Sequence, residues 1–278
     1  MKDYLSRVGK YPAPARLALF LLLLLAVWGP IGLPLYWLVP DPNWAGILAM
    51  TGLYAAFIFL ARLWGRYVYG QPQILRLYGL EFSRKNGQDL FGGLGLGLFG
   101  LLSLLTLETL LGWLEWQVPN LSGLPLVMGE GLLVALGVGF AEELLFRGWL
   151  LDELQRDYSP GVSLGANATI FAVLHFIKPW EEIIRTFPAF PGLVLLGLTL
   201  GWAKRSREGR LGKPIGFHAG LVWGYYIINV GQLVQYSGAV PAWITGLDNN
   251  PLAGVMGLLF LGAIATAMYR TSPPDLAK

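Results

Sequence analysis

The chain has 278 residues, of which 55% are hydrophobic and only 13% charged, with a formal net charge of +3 and no cysteine. Soluble domains carry about 25% charged residues, so this composition excludes an ordinary water-soluble enzyme, and the missing cysteine excludes disulfides, thiol catalysis and cysteine metal sites. The basic residues cluster between apolar runs, a pattern that serves membrane orientation and not nucleic-acid binding.

The first apolar run, ARLALFLLLLLAVWGPIGLPLYWLV, follows a basic N-terminus as a signal peptide would. It is too long for one and no A-x-A site follows it, so it reads as an uncleaved first span. Apolar runs of spanning length then recur along the chain, predicting an all-α polytopic membrane protein of about eight helices. They cover roughly 15–39, 44–66, 89–113, 124–155, 161–177, 188–204, 214–234 and 251–269, to about 2–4 residues at each end. The expected organisation is a cytoplasmic segment 1–14, a helical membrane domain 15–270 with a core at about 125–235, and a cytoplasmic tail 271–278.

Lys2, Arg7, Lys10 and Arg16 precede the first span, and Arg62, Arg66, Arg76, Arg84 and Lys85 flank the second connection. Arg156 falls in the fourth connection, Lys204, Arg205, Arg207, Arg210 and Lys213 fill the sixth, and Arg270 and Lys278 close the chain. The positive-inside rule therefore puts both termini in the cytoplasm. DPN and WEWQVPNLSG, on the other side, hold no Lys or Arg; KPWEEIIRT dissents mildly with Lys178 and Arg185. The segment GQPQILRLYGLEFSRKNGQDL is either a short interfacial amphipathic piece or a plain basic loop. In the third span Gly95-x-Gly97-x-x-Gly100 imitates a dinucleotide fingerprint, but it has no strand before it and no βαβ context. Gly93-x-x-x-Gly97 instead predicts close helix packing.

The fourth span carries Glu142, Glu143 and Arg147, the fifth His175 and the seventh His218, the only two histidines of the chain. A charge at a helix centre costs about 2.5–3.5 kcal/mol even on the lenient insertion scale, so such residues face the bundle interior and mark function. Glu143 and Arg147 are four apart and can pair. Glu142 points about 100° away and lacks that partner. The fourth and fifth spans form a hairpin around DYSPG, near residue 158. Glu142 lies sixteen residues before that point and His175 seventeen after it, so both should lie at one depth. His218 enters from the cytoplasmic end of the seventh span. A carboxylate–imidazole pair in such a site can activate water, with a second histidine stabilising an oxyanion. Equally, Glu142, His175 and His218 could bind zinc with one open position.

Glu142-Glu143-x-x-x-Arg147, then Phe171-x-x-x-His175, then His218 on a later span resembles the CPBP intramembrane proteases, the CAAX prenyl endopeptidase and bacteriocin-processing (Abi) group. The resemblance covers about residues 125–235. It implies an eight-helix bundle with a site open to the cytosol, metal- or glutamate-dependent, acting on a membrane-anchored protein or peptide. It further implies that Glu142 and His175 activate water, His218 contributes to the oxyanion site, and Glu143 and Arg147 support the first motif. Phe171 is expected to pack beside His175. One departure stands out: the family's third motif commonly reads His-x-x-x-Asn, and here the last position is Val222. A non-catalytic assembly or partner-binding protein of the same architecture is the alternative that Val222 favours. A proton-coupled transporter, with Glu142 and His175 as relay, is disfavoured because no inverted repeat is visible.

Overall fold

The computed structural model describes residues 6–117 and 122–273. Lys2, Lys278, most of the expected tail and residues 118–121 of the third connection lie outside the described residues. Eight long helices follow the eight expected spans: α1 (Ala13–Leu38), α2 (Pro42–Val68), α3 (Arg84–Leu110), α4 (Leu124–Gln155), α5 (Pro160–Leu174), α6 (Phe190–Arg205), α7 (Gly212–Val230) and α8 (Val255–Thr271). Of these, α1, α2, α3 and α4 are long and apolar enough to cross a membrane, as is the helical run Trp180–Arg205 that ends in α6; α5 and α8 are shorter apolar helices. The protein is a polytopic all-α membrane protein, with one small exception. Two short strands, β1 (Leu114–Trp116) and β2 (Val234–Tyr236), pair antiparallel with Leu114 opposite Tyr236.

The chain divides into two compact units. The first comprises residues 1–79 and 152–158. Here α1 and α2 pack through Phe20, whose ring meets Phe57 at 5.9 Å and Trp64 at 5.5 Å, both edge-on. Asp41 caps α2 by accepting from the Asn43 and Trp44 amides, and Pro42 follows at the first helical position, where a missing N–H costs nothing. Leu22, Leu25, Ile31 and Trp37 of α1 are exposed, an apolar surface suited to lipid. Ile74 is buried against Gly65, so the segment after α2 is tucked into this unit and is not a free loop.

Asp152, Glu153, Arg156 and Asp157 cluster beside the DYSPG turn, where charges would suit a connection facing water. Glu153 is instead almost fully buried: Arg16 Nε lies 2.9 Å from its carboxylate, and the Tyr69 hydroxyl donates to it at 2.6 Å. Arg16 also reaches Asp157 at 3.1 Å. Burial, then the bond to Glu153, pushes the Tyr69 phenol above its ordinary range, so its hydroxyl keeps the proton it donates. Arg16 is therefore part of α1 and internally paired, which offsets the desolvation of a buried charge.

The second unit comprises residues 80–151 and 159–278. Its axis is α7, against which α3 and α4 pack closely. A Cβ at Gly97 would meet the Phe217 carbonyl and lie 2.8 Å from Leu221 N, and one at Gly93 would lie 2.7 Å from Phe217 N. The glycine spacing thus serves backbone contact between α3 and α7, as expected of small residues in lipid, where close packing replaces the hydrophobic driving force. On the other side of α7, Gly139 of α4 would hold a Cβ 2.9 Å from the Ile215 carbonyl. That contact comes one turn before Glu142 and brings α4 to α7 at the level of the site.

Candidate active site

From Leu124 to Glu143 α4 is regular; from Leu144 to Leu150 it is a π-helix, before a last α turn Leu151–Gln155. Wide turns of this kind concentrate at functional sites because they re-aim side chains and leave carbonyls for other donors. Here Asn167 Nδ2 donates to the Phe146 carbonyl at 2.8 Å and Lys204 Nζ to the Arg147 carbonyl at 2.7 Å. Lys204 counts as a loop cation in the sequence, yet it is buried and supports the site.

Glu143 and Arg147 are both fully buried and paired at 3.1 Å, as their spacing predicts. Arg147 also donates to the Gly197 carbonyl at 3.0 Å and sits 4.4 Å over the Phe171 ring. The same Glu143 oxygen lies 2.9 Å from His218 Nδ1. A carboxylate only accepts, so Nδ1 carries the hydrogen and Nε2 is left free. That nitrogen is 4.0 Å from Glu142 Oε2, too far for a direct hydrogen bond. Glu142 Oε2 is itself a buried oxygen with no hydrogen-bond partner. A continuous line of groups therefore runs Arg147, Glu143, His218, Glu142.

His175 is placed differently from expectation. It is the C-cap of α5, outside the helix proper, and it is exposed. Its Nδ1 donates to the Phe171 carbonyl at 2.8 Å, leaving Nε2 free. Its ring packs on Phe171 at 4.6 Å, and Phe171 stands edge-on to His218 at 6.3 Å. Phe171 thus packs beside both imidazoles and under the Arg147 guanidinium, while among the described residues the ion-pair neighbour of Glu142 is His218 and not His175. Both imidazoles line a cavity of about 310 Å³, whose walls are otherwise mainly apolar: Phe171, Leu193, Leu196, Leu221 and Val222. Tyr225 and Asn250 bring the other polar side chains. Neither loop residue Asn250 nor the α6 leucines carry a signal in the sequence, because ordinary residues on separate elements announce nothing about a shared wall. Among the described residues no three His, Asp or Glu side chains are grouped so as to hold a metal ion. The zinc set of Glu142, His175 and His218 is therefore not gathered in this geometry.

Fold and site together define a polytopic helical membrane protein in which a line of acid, base and imidazole side chains reaches a cavity that both histidines line. Residues 124–224 match the family model described as type II CAAX prenyl endopeptidase Rce1-like, which agrees with the CPBP resemblance. The matched segment runs from the start of α4 into α7 and includes Glu142, Glu143, Arg147, Phe171, His175, His218 and Val222. The match covers less than half of the chain and is a likeness of this segment to that family. No curated protein and no solved structure matches the chain.

Proposed function

We propose that this chain is an intramembrane endopeptidase that hydrolyses a peptide bond of a membrane-associated protein or peptide, with both termini in the cytoplasm. The observation that carries the reading is the line Arg147–Glu143–His218–Glu142, in which the unpartnered Glu142 Oε2 lies 4.0 Å from Nε2 of His218, and His218 lines a cavity together with His175. His218 is six residues into α7 from Gly212, about 9 Å along its axis, so the reacting level is on the side of the basic connections, near the cytoplasmic face.

Water held by Glu142 Oε2 and the free imidazole nitrogens loses a proton to Glu142 as its oxygen attacks the scissile carbonyl. The C–N bond then breaks and Glu142 returns the proton to the leaving amine. The sequence reading gives the water to Glu142 and His175, with His218 assisting. The shorter separation favours His218 as the nearer partner, with Glu143 orienting it as a carboxylate orients the imidazole of a hydrolytic triad. His175 faces the same cavity and remains available to the carbonyl oxygen. Val222 supplies no donor, so Tyr225 and Asn250 are the remaining polar side chains of the cavity wall for the oxyanion. Arg147 holds Glu143 and touches no substrate. Zinc on Glu142, His175 and His218 would require side chains to move together, and no step here runs through it.

Val222 is the one observation that favours a second reading, a non-catalytic partner-binding protein of the same architecture. Terminal proteomics of membranes from cells carrying wild-type or Glu142→Gln protein separates the two. The protease reading expects substrate termini that vanish with Glu142→Gln at equal protein abundance. Identical termini in both would support the partner-binding reading.

A further inference from the structure

The wide turn of α4 begins at the residue after Glu143 and runs to Leu150. A π-turn sends amides to the fifth carbonyl back instead of the fourth, which amounts to one residue inserted into an α-helix. One residue is worth about 100° of rotation and 1.5 Å of rise. The turn therefore sets the azimuth of Glu142 and Glu143 relative to the part of α4 that follows it. Were α4 regular throughout, the two carboxylates and the residues after Leu150 could not both hold the directions they have.

Such turns are rare, so something must hold this one. Two side chains do. Asn167 of α5 donates to the Phe146 carbonyl at 2.8 Å, and Lys204 of α6 donates to the next carbonyl, that of Arg147, at 2.7 Å. Two consecutive carbonyls inside the wide turn are thus claimed by side chains from two other helices. Asn167, Lys204, Phe146 and Arg147 are all buried. Asn167 Oδ1 is buried without a hydrogen-bond partner, so this amide bears a desolvation cost while its nitrogen serves the Phe146 carbonyl. The Lys204 bond carries the ammonium charge and is the stronger kind. Both donors are rigidly placed. A Cβ at Gly197 of α6 would lie 2.9 Å from Ala168, the neighbour of Asn167, and one at Gly201 would run into the Leu164 side chain. Arg147 adds a third link to α6 through the Gly197 carbonyl at 3.0 Å. Asn167 and Lys204 both lie outside the cavity wall, so their effect on the site runs through α4.

From this we infer that Asn167 and Lys204 are positioning residues: by holding the Phe146 and Arg147 carbonyls they keep α4 in its wide turn, and the turn aims Glu143 at His218 Nδ1 and Glu142 toward Nε2. When either donor is removed, the freed carbonyl takes back a helical partner, the turn tightens, and the 2.9 Å bond from His218 to Glu143 lengthens. That this aiming serves the cutting of a peptide rests on the proposed function; the aiming itself does not.

The chain's two histidines make the test direct. Full-length protein carrying nitrogen-labelled histidine shows two sets of ring signals by NMR. In the wild type both rings hold hydrogen on Nδ1, His218 toward Glu143 and His175 toward the Phe171 carbonyl. In Lys204→Met and in Asn167→Leu the His218 nitrogens should shift as the bond to Glu143 weakens, while those of His175 stay in place. Cleavage of a membrane-anchored reporter should show kcat lowered about 10–100-fold at unchanged KM, since a misplacement of about 1 Å can cost about 10²-fold. Lys204→Arg keeps a charged donor and should recover most of both readouts. Folded donor-less variants with wild-type His218 signals would overturn the inference, and so would Lys204→Arg as impaired as Lys204→Met. If one donor-less variant fails to accumulate, the other carries the test, because each removes one of the two bonds. Loss of folded protein in both, with Lys204→Arg no better, would make the pair structural only and overturn the inference as well. The ring signals need no turnover: signals that move as expected in a protein whose wild type cleaves nothing would leave the positioning role standing and remove the protease reading.

Discussion

Glu143→Gln tests the physics of the buried line of charges. In the native protein one Glu143 oxygen receives Arg147 at 3.1 Å and His218 at 2.9 Å, and neither Glu143 nor Arg147 has exposed surface. The glutamine keeps the volume and one carbonyl acceptor but removes the negative charge. Breaking a buried pair by removing one partner costs about 3–5 kcal/mol, because the other charge stays buried and uncompensated. The retained carbonyl recovers about 1 kcal/mol as a neutral hydrogen bond, leaving a net loss of about 2–4 kcal/mol. Reversible unfolding in mixed detergent micelles would read this as a shifted midpoint at unchanged slope. Adding Arg147→Met removes the orphaned guanidinium and should restore about 1–2 kcal/mol, since the isolated charge is what costs most. Turnover should fall about 10–100-fold in the single variant as His218 loses its orienting carboxylate, and should not recover in the double. A single variant as stable as wild type, or a double variant less stable than the single, would refute the reasoning.

Three further outcomes follow from the same geometry. Val222→Asn adds a donor one helical turn beyond His218 in the cavity wall and should raise turnover about tenfold or more at unchanged abundance, given that one oxyanion donor is worth about 10²–10³ in rate. Activity unchanged or lowered would show that Val222 does not face the reacting carbonyl. Treatment with a strong zinc chelator should leave cleavage intact, because the described acid and imidazole side chains do not group as a metal site; loss restored by zinc would make Glu142, His175 and His218 ligands. Gly97→Leu should reduce folded protein severely, since even a Cβ there meets the backbone of α7. Wild-type stability in that variant would contradict the close α3–α7 approach.

The membrane class and the eight helices are legible in the sequence because lipid demands long apolar runs, and no tertiary information is needed to see them. Glu143 with Arg147 is legible for a similar reason, since a four-residue spacing is local. What is not legible depends on how helices rotate and bend. Equal depth about residue 158 relates Glu142 to His175 along the membrane normal, but it says nothing about azimuth. The π-turn after Glu143 and the approach at Gly139 bring His218 to Glu142. α5 ends at Leu174, ahead of Lys178 and Pro179, so His175 caps a helix instead of lying within one. Arg16 and Glu153 look like flanking charges until the fold joins them across 137 residues of chain. Glu108 is a wholly buried acid near the end of α3, with Tyr236 beside it, and it passes unnoticed because it has no ionisable neighbour in sequence to form a motif.

The most direct measurement of the central claim uses purified protein in liposomes with membrane-anchored reporter peptides, comparing wild type with Glu142→Gln. Glu142→Gln removes the proton acceptor while keeping shape, so it should retain folded abundance and peptide binding but lose detectable cleavage. Equal cleavage by the two proteins would contradict water activation at Glu142 and the hydrolytic mechanism with it.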